Sequence, residues 1–206
     1  MDNKALFRLS YGVFMLSTKA GDKINGCITD TCIQVANTPT RVAISLINTN
    51  YTCSLLKESG LFCLSVLDEA ATFDIISHWG LQSGRNVDKF DGMNLPMDPN
   101  GIPYLSSSTC AVISCKVVEQ VDLGTHTLFI AEVLDAKVTS DRNPLLYADY
   151  QKRIKPDSQT QKTQRKIKGW KCRICGYIYE GPDIPKDFLC PLCGHTREDF
   201  EPVYED

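Results

Sequence analysis

The chain has 206 residues, 43% of them apolar, which is enough for a real core and sets an expectation of one or two domains. Its formal charge of −3 gives no overall pull toward nucleic acid or an anionic membrane, and it contains no apolar run of about 18 residues that could span one. The opening MDNKALFRLSYGV lacks the basic start and apolar centre of an export signal, so a cytoplasmic protein with reduced thiols is expected despite ten cysteines.

Strands dominate the first 150 residues. VFMLSTK, RVAISLIN, LFCLSVL, CAVISCKVV and HTLFIAEVLDAKV are β-branched and apolar, bounded by Gly, Pro, Asn and Asp. Between them, TCSLLKESG and ATFDIISHWG read as short helices closed by Gly60 and Gly80. Strands without regular helical crossovers favour an antiparallel barrel over a doubly wound sheet, so the fold class is mainly β. Two polar stretches lie at strand margins: NGCITDTC, from Asn25 to Cys32, and INTNYT, from Ile47 to Thr52. Their hydroxyls and amides can face a ligand or serve as turn chemistry. SGRNVDKF, with Ser83, Arg85 and Lys89, is either an anion-binding loop or a solvated one. Trp79 either covers a ligand or packs. Cys27, Cys53, Cys63, Cys110 and Cys115 read as small core residues. Cys110 and Cys115, five apart on one strand, point to opposite faces and are not expected to bridge.

From Lys152 to Lys168 the chain reads KRIKPDSQTQKTQRKIK, seven basic residues with almost nothing apolar. Such a segment cannot bury enough surface to fold, so 152–168 is expected to be a flexible tether or a docking strip for an acidic partner. It separates a domain at 1–151 from a small one at 169–206. The small domain holds two CxxC pairs in the pattern C-x2-C-x14-C-x2-C: Cys172, Cys175, Cys190 and Cys193. Two facing knuckles place four thiolates at tetrahedral corners, a geometry suited to zinc or a single iron. Gly176 and Gly194 follow the second cysteine of each knuckle, where a tight turn aims amides at the sulfurs. Trp170, Tyr177, Tyr179, Phe188 and Phe200 supply a core for a module too small to build another.

Over its last 38 or so residues the chain resembles rubredoxin, through CRICGYIYEG, FLCPLCG and the DF beyond them. The loop between the knuckles is shorter than in free-standing rubredoxins and closer to that of rubredoxin modules fused to other redox domains. The resemblance implies one iron on the four cysteines rather than zinc. Nearly all of residues 1–150 resembles the flavin reductase-like family, through NGCITDTCIQVANTP, VAISLINTNYTCSLLKESGLFCLSVL, SGRNVDKFDG and GTHTLFIAEVLDA in that order. That family implies a split β-barrel binding FMN, usually at a homodimer interface. It implies that Thr29, Asp30, Thr31 and Cys32 line the flavin ring. Asn48, Thr49 and Thr52 would approach the ribityl chain and phosphate, with Ser83, Arg85 and Lys89 at the phosphate. His126 would stand where the nicotinamide approaches.

Read as a whole, the chain resembles the high-molecular-weight rubredoxins of anaerobic bacteria. The resemblance implies NADH or NADPH as donor, FMN as a two-to-one electron converter, a one-electron iron centre, and a flavodiiron protein as acceptor. An electron carrier reduced by another protein is the alternative, and a zinc ribbon fused to a flavin-free barrel is a third reading.

Overall fold

The computed structural model describes Ala5, residues 8–156 and residues 167–204, and divides into two compact units that part between Lys155 and Pro156. The larger unit has seven strands: β1 (Phe14–Ala20), β2 (Lys23–Thr29), β3 (Cys32–Asn37), β4 (Thr40–Ile47), β5 (Leu61–Leu67), β6 (Thr109–Asp122) and β7 (His126–Val138). They form one antiparallel sheet in the order β2-β1-β5-β6-β7-β4-β3. Its helices are α1 (Tyr51–Ser59), α2 (Phe73–Gly80) and the single turn α3 (Tyr147–Asp149), which runs into a wide turn at Tyr150–Ile154.

The sheet rolls up. Cys27 of β2 and Ile44 of β4 stand near opposite ends of the strand order, yet both belong to one buried cluster with Phe14, Leu16, Phe62, Leu64, Phe129 and, from α1, Leu56. Thr29 of β2 reaches across to donate to the Ser45 carbonyl of β4 at 3.5 Å. The expected barrel is present, mainly β and nearly closed between these two strands. The outer face of β1 is buried as well. Val13 and Met15 pack with Leu67, Ile76 and Trp79, under α2 and Tyr150. Burial on both faces explains why VFML is continuously apolar rather than alternating.

All five apolar runs fall on strands: β1, β4, β5, β6 and β7. NGCITDTC, read as a strand margin, is instead the end of β2 and the start of β3, joined by Asp30 and Thr31. Its strand character is masked because the buried Asn25 satisfies itself on Thr52 Oγ1 at 2.9 Å. Helix α1 begins at Asn50, whose side chain caps the Thr52 N–H at 2.9 Å, and ends at Gly60 with φ +66° and its N–H on the Leu56 carbonyl. Gly80 differs from expectation. It is the last residue of α2, not its cap, and it is small because a Cβ there would stand 3.2 Å from Ile28.

The smaller unit has β8 (Ile167–Cys172), β9 (Ile178–Glu180) and β10 (Phe200–Tyr204) in the order β10-β8-β9. The expected aromatic cluster is its core, joined by Ile184. The expected tether is shortened at both ends: Ile154 packs into the outer cluster of the first unit, and Ile167 and Lys168 open β8. Residues 157–166 of that tether lie outside the described residues. Among the described residues no helix is long and apolar enough to cross a membrane.

Candidate functional site

Where β2 and β4 nearly meet, two compartments open beside the start of α1. The first, about 280 Å³, has Val13, Ile28 and Ile76 as its apolar floor. Thr29, Asp30, Thr31, Ser45 and His126 supply its polar groups, and Tyr147 and Tyr150 wall one side. The second, about 260 Å³, is lined by Cys27, Thr49, Asn50, Tyr51, Ser83, Gly84 and Lys89, among others. The two share Ile47 and Asn50, so they are parts of one cleft.

The turn between β2 and β3 builds the polar edge of the first compartment. Thr29 Oγ1 accepts from the Thr31 N–H at 3.4 Å, and Thr31 Oγ1 donates to Asp30 Oδ1 at 2.9 Å. His126 opens β7 opposite Ile47, lines the first compartment, and has its Nδ1 2.9 Å from Thr125 Oγ1. The second compartment is electropositive. The N-terminal end of α1 borders it through Asn50 and Tyr51 and contributes partial positive charge.

Lys89 is only 4% exposed, and its ammonium donates to the carbonyls of Trp79 at 2.7 Å and Gly26 at 2.9 Å. One of its three N–H groups remains. No carboxylate pairs with it among the described residues. Burial pushes its pKa down from the ordinary lysine value. A buried cation without an anion is costly, so the compartment suits a ligand that brings negative charge. An apolar, walled slot leading to such a cation has the chemical profile of a flavin ring joined to a phosphate. Burial also pushes the Cys27 thiol up, with the Thr52 hydroxyl beside it, so it lines the compartment as a neutral group.

The structure brings together Thr29, Asp30, Thr31 and His126 in the first compartment, and Thr49, Ser83 and Lys89 in the second. Three expected residues are not brought to the cleft. Cys32 faces the barrel core, and burial drives its thiol up to about 12. Asn48 is consumed by protein partners: it donates to the Gly124 carbonyl at 2.8 Å and accepts from Thr127 at 2.6 Å and Lys57 at 3.2 Å. Thr52 is fully buried, its hydroxyl accepting from the Asn25 amide and its N–H donating to Asn50 Oδ1. Arg85 lies in an adjoining groove, 5.0 Å above the Tyr51 ring, rather than beside Lys89. Trp79, left open by the sequence, packs edge-on against Phe90 and His78, gives its carbonyl to Lys89, and also borders the second compartment.

Sequence reasoning passed over Ser45, Tyr147 and Tyr150, and gave Asn50 no role of its own within INTNYT. Asn50 carried a signal, an Asn immediately before a helical stretch. The two tyrosines carried none, since they stand just ahead of the basic run.

In the smaller unit the four expected sulfurs lie within 4.8 Å of one another, with Cys172 and Cys193 3.7 Å apart and Cys175 and Cys190 3.4 Å apart. Tetrahedral metal–sulfur bonds of about 2.3 Å require sulfurs roughly 3.8 Å apart, so the set fits a single tetrahedral ion. The two knuckles repeat one design. Gly176 N–H bonds the Cys172 carbonyl at 2.9 Å and Gly194 N–H the Cys190 carbonyl at 2.8 Å, both glycines with φ above +70°. The first sulfur of each knuckle, on Cys172 or Cys190, is buried. The second is exposed on Cys175 and half-buried on Cys193. Each knuckle thus carries one thiolate anchored in the aromatic core and one at the surface.

Residues 6–155 match the family described as flavin reductase like domain, and residues 170–201 that described as rubrerythrin, rubredoxin-like domain. The high molecular weight rubredoxin of Moorella thermoacetica is 31% identical to this chain, covering 98% of it and 100% of its own length. The ferric-chelate reductase (NAD(P)H) of Archaeoglobus fulgidus is 36% identical over 73% of this chain and 89% of its own. Among solved structures, the FMN-binding protein from Thermus thermophilus with bound 1-cyclohex-2-enone superposes with a TM-score of 0.61 at 21% identity, covering 68% of this chain and 83% of that one. That last likeness speaks to the fold alone.

Proposed function

The chain belongs to the flavin reductase-like family and carries a rubredoxin-like domain behind it, and from that premise we propose that it passes electrons from NADH or NADPH, through FMN and one iron, to a flavodiiron-type reductase of O2 or NO. The observation that carries the proposal is one chain holding both a cleft that ends in an unpaired buried cation and a four-thiolate cluster. Bound FMN accepts a hydride and can release its electrons singly, while a thiolate-held iron carries one at a time.

The protein supplies position, burial and charge. Lys89, Ser83 and the start of α1 hold the phosphate. Hydroxyls of Thr29, Thr31 and Ser45 bond the polar edge of the ring, and Tyr147 and Tyr150 exclude water from it. His126, its Nδ1 engaged by Thr125, stands at the mouth where the nicotinamide arrives. Cys172, Cys175, Cys190 and Cys193 hold the iron, and the exposed side of the cluster, flanked by the exposed Ile174 and Leu192, is where electrons leave for the partner. Four reduced thiolates suit the cytoplasm.

Ile33 and Val35 lie exposed on the edge strand β3. Apolar groups on a sheet edge seek a partner, and a second copy of the chain is the partner proposed. Ile33→Asp should then yield a monomer by sedimentation.

The test of function is anaerobic rapid mixing of the purified protein with NADH or NADPH. Flavin absorbance should bleach first and the iron bands afterwards. If neither nicotinamide bleaches the flavin while a reducing protein does, the chain is a carrier and not a nicotinamide oxidase. A protein containing zinc and no iron would overturn the one-electron role.

A further inference from the structure

His78 stands behind the second compartment rather than in its wall, yet both of its ring nitrogens end on residues that line it. Its Nε2 lies 2.7 Å from the Lys89 carbonyl and its Nδ1 3.3 Å from Gln82 Nε2. An amide nitrogen can only donate, so Nδ1 accepts and the ring proton sits on Nε2, which donates to Lys89. The same Gln82 amide donates to the His78 carbonyl at 2.8 Å. Gln82 and Lys89 are the two ends of one loop, and Ser83 and Gly84 of that loop line the compartment with them. One imidazole therefore ties both ends of the loop.

Inside the loop the main-chain bonds are local turns, from the Asn86 and Val87 N–H groups to the Ser83 carbonyl, and Arg85 fastens its middle to the Thr49 carbonyl at 3.1 Å. The ends are gripped by α2. A helix leaves its last carbonyls without partners of its own, and here Gln82 takes that of His78 while the Lys89 ammonium takes that of Trp79 at 2.7 Å. Lys89 is thus held through its main chain by one residue of α2 and through its side chain by the next. An ammonium on a flexible four-carbon stem loses much rotamer freedom when it is pinned. Where the pinning is done by the fold, that loss is not charged to the ligand.

We propose that His78 is a positioning residue: it meets no ligand atom, and through its two ring nitrogens it holds Lys89 and the loop of Ser83 where a phosphate finds them already in place. The inference rests on the proposed function, with the flavin phosphate seated by Lys89. It separates two parts of the flavin. The ring lies against Thr29, Asp30 and Thr31 of the β2–β3 turn, which His78 does not touch. Only the phosphate depends on the loop that His78 closes. Loss of the imidazole should therefore be felt by a flavin that carries a phosphate and hardly at all by one that does not.

Flavin-stripped full-length protein, titrated with FMN and with riboflavin by fluorescence quenching, tests this, because riboflavin is the same ring and ribityl chain without the phosphate. His78→Leu should weaken FMN about three- to tenfold and riboflavin less than about twofold, the scale of one lost hydrogen bond and a displaced charged one. His78→Gln, whose amide nitrogen reaches the place of Nε2, should restore FMN to within about twofold of the native chain. His78→Asn, one bond shorter, should not. Equal loss of both flavins in His78→Leu would make His78 a support of the fold alone and overturn the proposal. Native FMN affinity in that variant would overturn it too, as would a failure of Gln to restore what Leu loses. A native chain that binds riboflavin as tightly as FMN would instead sink the placement of the phosphate at Lys89, and the inference with it.

Discussion

Lys89 illustrates how a single residue links burial to ligand chemistry. Its amine is drawn between two carbonyls, and desolvation lowers its pKa below the ordinary lysine value. The charged form is the one that binds phosphate. FMN affinity should therefore fall as pH rises through that lowered value, earlier than an ordinary lysine of about 10.4 would allow. Bound phosphate favours the ammonium, so the midpoint in the complex lies above that of the free protein. FMN titrations between about pH 7 and pH 10 should show this decline in the native chain and a flat, weaker profile in Lys89→Met. A second residue argues the opposite case. Asn48 sits in a stretch that looked ligand-facing, yet its three bonds tie the segment before α1 to Gly124 in the β6–β7 turn, to Thr127 of β7 and to Lys57 of α1. Asn48→Ala should cost about 1–3 kcal/mol of unfolding free energy, because it leaves Thr127 and the Gly124 carbonyl without their partner. FMN affinity should barely change; lost binding at unchanged stability would restore the ligand role. Residue types at strand margins were thus legible as a site, but which hydroxyl or amide turns to the ligand depends on cross-chain bonds such as Asn25 to Thr52, which no local pattern encodes.

At the scale of elements, β2 was the hardest to read and does the most to shape the cleft. The other long strands announce themselves by apolar runs, whereas β2 buries Asn25, Gly26 and Thr29. Gly26 explains why. A Cβ there would stand 3.1 Å from the Trp79 ring and 3.2 Å from the Leu16 carbonyl, so α2 packs on β2 only because this position is bare. The two carbonyls that hold Lys89, from Gly26 and Trp79, lie on either side of that contact. Gly26→Ala should push α2 away, lower the melting temperature, and weaken FMN by about tenfold through the disturbed Lys89, the scale of one charged hydrogen bond. A folded variant with native FMN affinity would show that the contact does not position the cation. The knuckles are the contrary case, legible almost entirely, since CxxC followed by Gly encodes its own turn. Cys175→Ser removes the most exposed of the four thiolates. It should abolish or destabilise the visible iron bands and leave bound FMN unchanged, because the cysteines and the cleft belong to separate compact units. An unaltered iron spectrum would remove Cys175 from the ligand set.

Over the whole molecule a change in charge marks the region where the two compact units part, between Lys155 and Pro156, with Ile154 packed on the first unit and Ile167 opening β8 of the second. What the sequence could not convey is that the residues just before that boundary, Tyr147 and Tyr150, wall the candidate cleft. The chain therefore leaves the first unit directly from the wall of its cleft. Connecting two redox units in one chain converts their encounter from a bimolecular event into an intramolecular one, at an effective concentration on the order of millimolar for a short connection. Cutting the chain between Gln159 and Gln164 should leave both cofactors bound, because each unit carries its own core. Reduction of the flavin by the nicotinamide should keep its rate, since every residue of the cleft lies before the cut. Reduction of the iron should become slower and should rise with protein concentration, as two separate molecules must now meet. Rapid mixing of intact and cut protein over a range of dilutions, with flavin and iron bands tracked separately, measures both rates. If the iron is reduced equally fast after the cut at every dilution, covalent connection is not what couples the centres, and a lasting contact between the units has to take its place.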